Sequence, residues 1–262
     1  MKTTLIVTTY NWTSALDAVL RTVVDQTHLP AEVIVADDGS GAHTRKLIDK
    51  WVPLLGCELV HIWQPDKGFR AARARNLAVA KSSGDHLIFV DGDCLLPPHF
   101  VENHRRLTRP RSLISGGRVL LNGDQTDALL GNRDESYPEV EMFNGLKHLN
   151  LWWLPFRNRI PVSWRAVRTC NISILRQDVL AIGGFDEAYT GWGKEDSDLA
   201  VRLDKFGVKI VTGRFATCVS HLFHKEQPRS ALEANEVALA EVVTASSWKP
   251  KKSCLRSIYY EG

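Results

Sequence analysis

Asp91 and Asp93 flank a single glycine, Gly92, directly after the apolar run His86-Leu87-Ile88-Phe89-Val90. Two apart on extended chain, their side chains can point the same way. Like charges this close repel, and a bound cation relieves the repulsion. Hard oxygen ligands suit Mn²⁺ or Mg²⁺, which bridge protein carboxylates and phosphate oxygens. Gly92 lets the backbone bend toward a ligand. The plain alternative is a polar turn ending a buried strand, and an isolated Asp-x-Asp is more often that.

The neighbours weaken the plain reading. Asp37-Asp38-Gly39-Ser40 is by itself a turn signal. Asp66-Lys67-Gly68-Phe69-Arg70 runs into Arg73, Arg75 and Asn76. On a helix Arg70 and Arg73 share a face, and near its N-terminus they could hold a diphosphate. Solvated arginines are the commoner explanation for such a pair.

A second constellation lies downstream. Gly183-Gly184-Phe185-Asp186-Glu187 leads to Gly191-Trp192-Gly193-Lys194, then to Glu195, Asp196 and Asp198. This reads as a glycine-aromatic loop entering a helix with three carboxylates in its first turn. Such carboxylates favour the helix dipole, so a capping role competes with a chemical one. Beside a bound substrate, one of them could take a proton from an attacking group. Trp192 offers a flat apolar face to a sugar ring, although tryptophans are more often core. His221, His224 and Lys225 follow a short apolar run.

These groups need a scaffold. Thr4–Thr8, Glu32–Ala36, Glu58–Trp63 and His86–Val90 read as strands, with helices over Ala15–Asp25, Thr44–Val52 and Arg70–Lys81 between them. Such alternation implies an α/β fold with a mostly parallel sheet flanked by helices. Ligands in such sheets bind beyond the carboxyl ends of the strands. Thr9-Tyr10-Asn11, Asp37 to Ser40 and Asp91 to Asp93 would therefore share one rim. Residues 122–168 are irregular apart from a weak helical stretch at Glu141–Leu151, and suggest a functional loop. A strand at Asn171–Leu175 and a helix from Arg176 follow. Lys194–Phe206 forms an amphipathic helix, with strands at Val208–Thr212 and Cys218–Leu222. A helix at Ala231–Val243 precedes a basic tail.

The 262 residues are 44% hydrophobic and 24% charged, ordinary for one globular α/β unit. A net charge of +3 is too small and dispersed for a nucleic-acid binder. Five scattered cysteines without a C-x-x-C pair fit reduced thiols better than a disulfide framework. The N-terminus reaches polar residues too soon for a signal peptide, and no apolar run approaches a membrane span. A cytoplasmic protein is expected, with optional peripheral contact at the inner membrane face through the tail lysines and Tyr259 and Tyr260. A solvated tail is the simpler expectation. Walker and G-x-G-x-x-G fingerprints are absent, against an ATPase or a dinucleotide enzyme.

Thr8-Thr9-Tyr10-Asn11, Asp37-Asp38-Gly39-Ser40, Lys67-Gly68 with Ala72-Arg73-Ala74-Arg75-Asn76, and Asp91-Gly92-Asp93 occur in this order. Together they resemble the nucleotide-binding half of family 2 glycosyltransferases, which have the GT-A fold. The resemblance implies that Tyr10 packs on a base, with Thr8 beside it, and that Asp38 binds the nucleoside. It implies diphosphate contacts for Lys67, Gly68, Arg70 and Arg73, with Asp91 and Gly92 near ribose or sugar. Asp93 would ligate metal. Asp66 departs from the asparagine common at that position. The Gly191-to-Asp196 stretch is similar to the carboxyl-terminal motif of chondroitin-type polymerases, β-1,4-galactosyltransferases and polypeptide N-acetylgalactosaminyltransferases. By that likeness Asp196 is the general base, Glu195 contacts donor sugar or acceptor, and Gly191, Trp192 and Gly193 border the substrate. His221 takes the place of a third metal ligand, with His224 second. The resemblance covers roughly Thr3–Phe100 and Thr169–Lys225.

The expectation is a single GT-A domain. Residues 1–100 would hold a UDP-sugar, residues 101–245 would bind acceptor and carry the chemistry, and residues 246–262 would form the tail. The reaction would move a hexose or N-acetylhexosamine to a hydroxyl of a glycan, glycoconjugate or lipid-linked acceptor, with inversion. Trp152, Trp153 and Trp164 could line the acceptor side or simply pack a subdomain. A glycoside hydrolase, a sugar nucleotidyltransferase and an inactive sugar-binding module are the rivals.

Overall fold

The computed structural model describes residues 1–131, 150–225 and 229–259. Four strands, β1 (Thr3–Thr9), β2 (Glu32–Asp37), β3 (Glu58–Trp63) and β4 (His86–Asp91), run parallel. Helices α1 (Thr13–Val24), α2 (Ala42–Trp51) and α3 (Ala71–Lys81) connect them. Leu5-Ile6-Val7, Val33-Ile34-Val35 and Leu87-Ile88-Phe89-Val90 are fully buried. Strands covered on both faces carry continuous apolar runs, and these runs are what make them legible.

The remaining elements complete this sheet and build a second, smaller one. They are β5 (Cys94–Leu95), α4 (Phe100–Leu107), β6 (Ser112–Ser115), β7 (Arg118–Leu120), α5 (Gly123–Gly131), β8 (Asn171–Leu175) and α6 (Arg176–Ala181). Then come α7 (Glu195–Lys205), β9 (Lys209–Thr212), β10 (Val219–His221), α8 (Leu232–Thr244) and α9 (Cys254–Tyr259). The main sheet has the order β3-β2-β1-β4-β8-β6-β9, so elements from both halves of the chain share it. β8 lies antiparallel between β4 and β6, and β9 is parallel to β6. A small second sheet, β5-β10-β7, sits against the rim.

Register sets the rim. Thr8 pairs with Asp91 across β1 and β4, and Thr9 with Asp37 across β1 and β2. One core cluster packs α1 and α4 on one face of the sheet, through Val19, Leu20 and Phe100. The other packs α3 and α7 on the opposite face, where Phe185 meets Phe89 edge-on at 5.5 Å. That contact ties the Gly183-to-Glu187 loop to the sheet directly beneath the rim.

Two expectations need correction. The basic tail is not a solvated terminus: Leu255 is fully buried, and the Lys251 and Lys252 amides donate to Asp186 at 2.7 and 3.1 Å. The reason is local, because Asp186 presents two acceptors to a segment whose Leu255 fits against Gly184 and whose buried Pro250 lies against Gly183. The second concerns residues 101–121, which carry α4, β6 and β7 although no elements are expected there. The helical stretch at Glu141–Leu151 lies outside the described residues except for its last two positions, and Tyr260 lies outside them altogether. No helix among the described residues is long and apolar enough to cross a membrane.

Candidate active site

The ends of β1, β2 and β4 close on one another. The Gly92 amide donates to the Thr8 carbonyl at 2.7 Å, and a Cβ on Gly92 would stand 3.1 Å from that oxygen. Asp37 accepts from the Ser40 amide at 2.7 Å and meets His61 Nε2 at 2.8 Å. Burial alone would raise its pKa, but these hydrogen bonds outweigh it and hold the carboxyl below its ordinary range. Asp38 accepts from Gln64 at 2.5 Å and from the Arg70 amide at 2.6 Å. Burial nevertheless keeps its carboxyl above the ordinary value. Gly39 has φ +102°, and a Cβ there would lie 2.5 Å from the Asp66 Cα. The turn can thus press against the Asp66 loop only with glycine.

That loop flanks the rim. Tyr10, 48% exposed, donates its hydroxyl to Asp66 at 2.9 Å and keeps its ring open to solvent. Asp66 also accepts from the Gly68 amide at 3.0 Å, and Lys67 is exposed. Arg70 is the N-cap residue of α3 and donates to the Pro65 carbonyl. Arg73 donates to Gln64 at 2.5 Å and approaches Glu187 at 3.8 Å. The expected diphosphate pair is therefore occupied with the protein's own acceptors.

Arg75, one turn beyond Arg70, is the group that the sequence reading leaves out of the site. It is only 3% exposed. Its guanidinium donates to Thr8 Oγ1 at 3.1 Å, Asp91 at 3.0 Å and Glu195 at 3.4 Å, and stands 3.8 Å from Asp196. A planar fork with five donors can serve several acceptors at once, and this one joins the strand ends to the first turn of α7. An arginine in an alanine-rich helix carries no sequence signal of burial; the nearest clue is its one-residue spacing from Asn76. Asn76 binds the Phe185 backbone at both ends of its amide and donates to Glu187 at 2.8 Å.

Of the three carboxylates opening α7, Asp198 belongs to the core. It pairs with the fully buried Arg202 at 2.6 Å. Glu195 is buried too, and desolvation together with the charge of Asp196 pushes its pKa up to about 7, against the pull of Arg75. Asp196 is partly open and accepts from Thr169 Oγ1 at 2.5 Å.

Asp93 faces two imidazoles. His221 Nε2 lies 3.5 Å from one of its oxygens and His224 Nε2 lies 3.4 Å from the other. Each histidine places Nδ1 2.9 Å from a backbone carbonyl, of Leu222 and Lys225 respectively. A carbonyl only accepts, so Nδ1 carries the proton, and in the neutral ring Nε2 turns a lone pair toward Asp93. Two lone pairs aimed at a carboxylate suit a cation among them, and Nδ1–H donation to a carbonyl is the support usual for ligating histidines. Ligand atoms of Asp93, Cys94 and His221 all fall within 4.8 Å of one another. The donor set fits a divalent metal, and His224, close to Asp93 but outside that group, is the second histidine within reach.

The glycine-tryptophan loop is pinned from both sides. The Gly191 amide donates to the Phe69 carbonyl at 3.1 Å, joining it to the Lys67–Arg70 loop. From α8, Asn235 donates to the Gly193 carbonyl at 2.9 Å and the Thr190 carbonyl at 3.3 Å. Trp192 remains 39% exposed, with Arg229 over its ring at 5.5 Å.

Known proteins resemble this chain in sequence and in fold. The chain is 29% identical over 226 residues to validoxylamine A glucosyltransferase of Streptomyces hygroscopicus subsp. limoneus, covering 80% of this chain and 49% of that one. It is 28% identical over 263 residues to hyaluronan synthase of Pasteurella multocida, covering 89% of this chain and 25% of that one. It thus spans half or less of the length of these relatives. The crystal structure of GalNAc-T7 with UDP, GalNAc and Mn²⁺ superposes with a TM-score of 0.66 at 17% identity, over 92% of this chain and 48% of that one. That likeness establishes the GT-A type of fold. A model of the galactosyltransferase N-terminal domain matches residues 156–225, which include the Trp192–Asp196 loop and both histidines. The model of glycosyl transferase family 2 matches residues 4–180, more than half of the chain, and to that family the chain belongs.

Proposed function

We propose that the protein is a metal-dependent glycosyltransferase that moves a hexose or N-acetylhexosamine from a UDP-sugar to a hydroxyl of a glycan or glycoconjugate. The observation that carries this reading is Arg75, which joins Asp91 on the donor rim to Glu195 and Asp196 at the start of α7. A nucleotide pocket and a candidate base are thereby held as one unit.

Tyr10, with Thr8 and the Asp38 turn, borders the nucleoside. Asp93, His221 and His224 would hold Mn²⁺ or Mg²⁺, which when bound supplies charge neutralisation at a diphosphate. Trp192, between Gly191 and Gly193, faces the sugar. Asp196 takes the acceptor proton as the acceptor oxygen bonds to the anomeric carbon. The bond from that carbon to the diphosphate breaks, and its electron pair leaves with UDP. Thr169 orients Asp196 through its hydroxyl. One displacement of this kind inverts the anomeric centre.

A sugar nucleotidyltransferase would share the sheet and the cation but leaves the Trp192–Asp196 loop without a task. A hydrolase needs neither cation nor nucleotide pocket. An inactive module gives no task to Asp93, Glu195 and Asp196 together.

The test is nucleotide release from a panel of sugar nucleotides with Mn²⁺, Mg²⁺ or EDTA, with and without acceptor sugars. Metal-dependent release from one or two UDP-sugars supports the reading. Silence across the panel, with no metal-dependent UDP binding, overturns it.

A further inference from the structure

Away from the rim, a concave surface between the end of α4 and the segment 152–159 is lined by Arg106, Arg109, Arg159, Trp152, Trp153 and Phe156. Its aromatic side chains are open: Trp152 is 40% exposed, Trp153 61% and Phe156 69%. Its cations are mostly unspent. Arg106 pairs with Glu102 at 2.6 Å and lies over Trp152 at 4.6 Å. Arg109 donates only to backbone carbonyls, and Arg159 lies over Phe156 at 5.0 Å. Neither meets a carboxylate among the described residues.

Beneath them Arg157 is 4% exposed. Its guanidinium donates to the carbonyls of Thr212, Arg214 and Leu151, again without a carboxylate among the described residues. A buried cation neutralised only by dipoles keeps the groove positive. Among the described residues no acidic side chain lines it.

We infer that this groove is a secondary binding site for a negatively charged glycan, holding the part of the acceptor remote from the reacting hydroxyl. Aromatic faces suit the apolar faces of sugar rings, and guanidinium forks suit carboxylate or phosphate groups on them. The site is concave, which suits a chain of sugars better than a membrane surface. Its floor also leads to the chemistry. Arg214, whose carbonyl holds Arg157, is followed seven residues later by His221, at most roughly 25 Å of chain. A glycan of a few sugars spans that distance. The word acceptor rests on the proposed glycosyl transfer; the binding of an anionic glycan does not.

Binding is measured with the whole protein against hexasaccharides of oligogalacturonate and hyaluronan, against maltohexaose, and against vesicles of phosphatidylglycerol. The variants are Trp153→Ala and Arg159→Glu, both at exposed side chains that make no fold contacts beyond the groove among the described residues, with circular dichroism and UDP binding as folding controls. The expected result is salt-sensitive binding of at least one uronate hexasaccharide and none of maltohexaose. Each variant should weaken that binding on the order of tenfold or more while UDP binding and acceptor-free nucleotide release stay unchanged. Failure of both uronates to bind, equal binding by wild type and variants, or capture by the vesicles alone would overturn the inference. If the groove binds uronate but no sugar nucleotide is turned over, the glycan site stands and the transferase reading falls.

Discussion

Arg75 donates to Asp91 at 3.0 Å from a position only 3% exposed to solvent. The same guanidinium meets Glu195 at 3.4 Å, so one buried cation serves carboxylates from two distant stretches of chain. Arg75→Met leaves the buried Glu195 and the partly exposed Asp91 uncompensated. The expected loss is about 3–5 kcal/mol in urea denaturation, with transfer abolished. Arg75→Lys should recover stability better than turnover, because an ammonium restores charge but not the fork. Equal recovery of both would contradict the bridging role.

The metal preference follows from the ligands. Two imidazoles beside one carboxylate favour Mn²⁺ or Co²⁺ over Mg²⁺. Metal titrations of UDP binding should show that order, and His224→Asp should narrow the gap in favour of Mg²⁺. If His224→Ala leaves metal affinity untouched, only His221 ligates.

Glu195 imposes a pH dependence on stability. Burial lifts its folded pKa from 4.5 to about 7, so the folded state favours the protonated acid. Its stabilising contribution is complete below about pH 4.5 and is lost as pH rises through 7. Glu195→Gln keeps a neutral side chain at every pH. Between pH 5 and pH 8, wild type should therefore lose ~1–3 kcal/mol relative to the variant in urea melts. Parallel curves would show that Glu195 ionises normally.

Asn235 tests the pinning of the glycine-tryptophan loop by α8. Asn235→Ala frees two carbonyls of that loop and should lower kcat by roughly tenfold, with UDP affinity unchanged. An unchanged kcat would mean that the Phe69 contact alone holds the loop.

Much of this architecture is legible in the residues themselves. Leu5-Ile6-Val7 and Leu87 to Val90 announce buried strands because parallel strands must be apolar on both faces. The carboxylates at Asp37, Asp38, Asp91 and Asp93 fall where such strands end, so a rim follows from topology. The two-residue strand β5, by contrast, is too short to show periodicity, although its pairing with β10, which falls inside the expected Cys218–Leu222 strand, brings His221 beside Asp93. Arg70 and Arg73 read as ligand contacts on a helix face; in the structure they donate to Pro65 and Gln64, and Arg75 on the same helix joins the strand ends to the first turn of α7. Helix spacing gives faces, but only packing decides which arginine is inside. The tail has the same origin: its lysines read as solvated, while backbone amides and Leu255 hold it in place.

The most direct test separates donor binding from transfer in two single variants. UDP binding with Mn²⁺ is measured by calorimetry, and transfer from the donor identified by nucleotide release, for wild type, Asp196→Asn and Asp93→Asn. Asp196→Asn should keep UDP affinity within about threefold and lose transfer by roughly 10²–10⁴-fold, while Asp93→Asn should lose metal-dependent binding itself. Normal transfer by both variants would contradict the assignment of base and metal ligand alike.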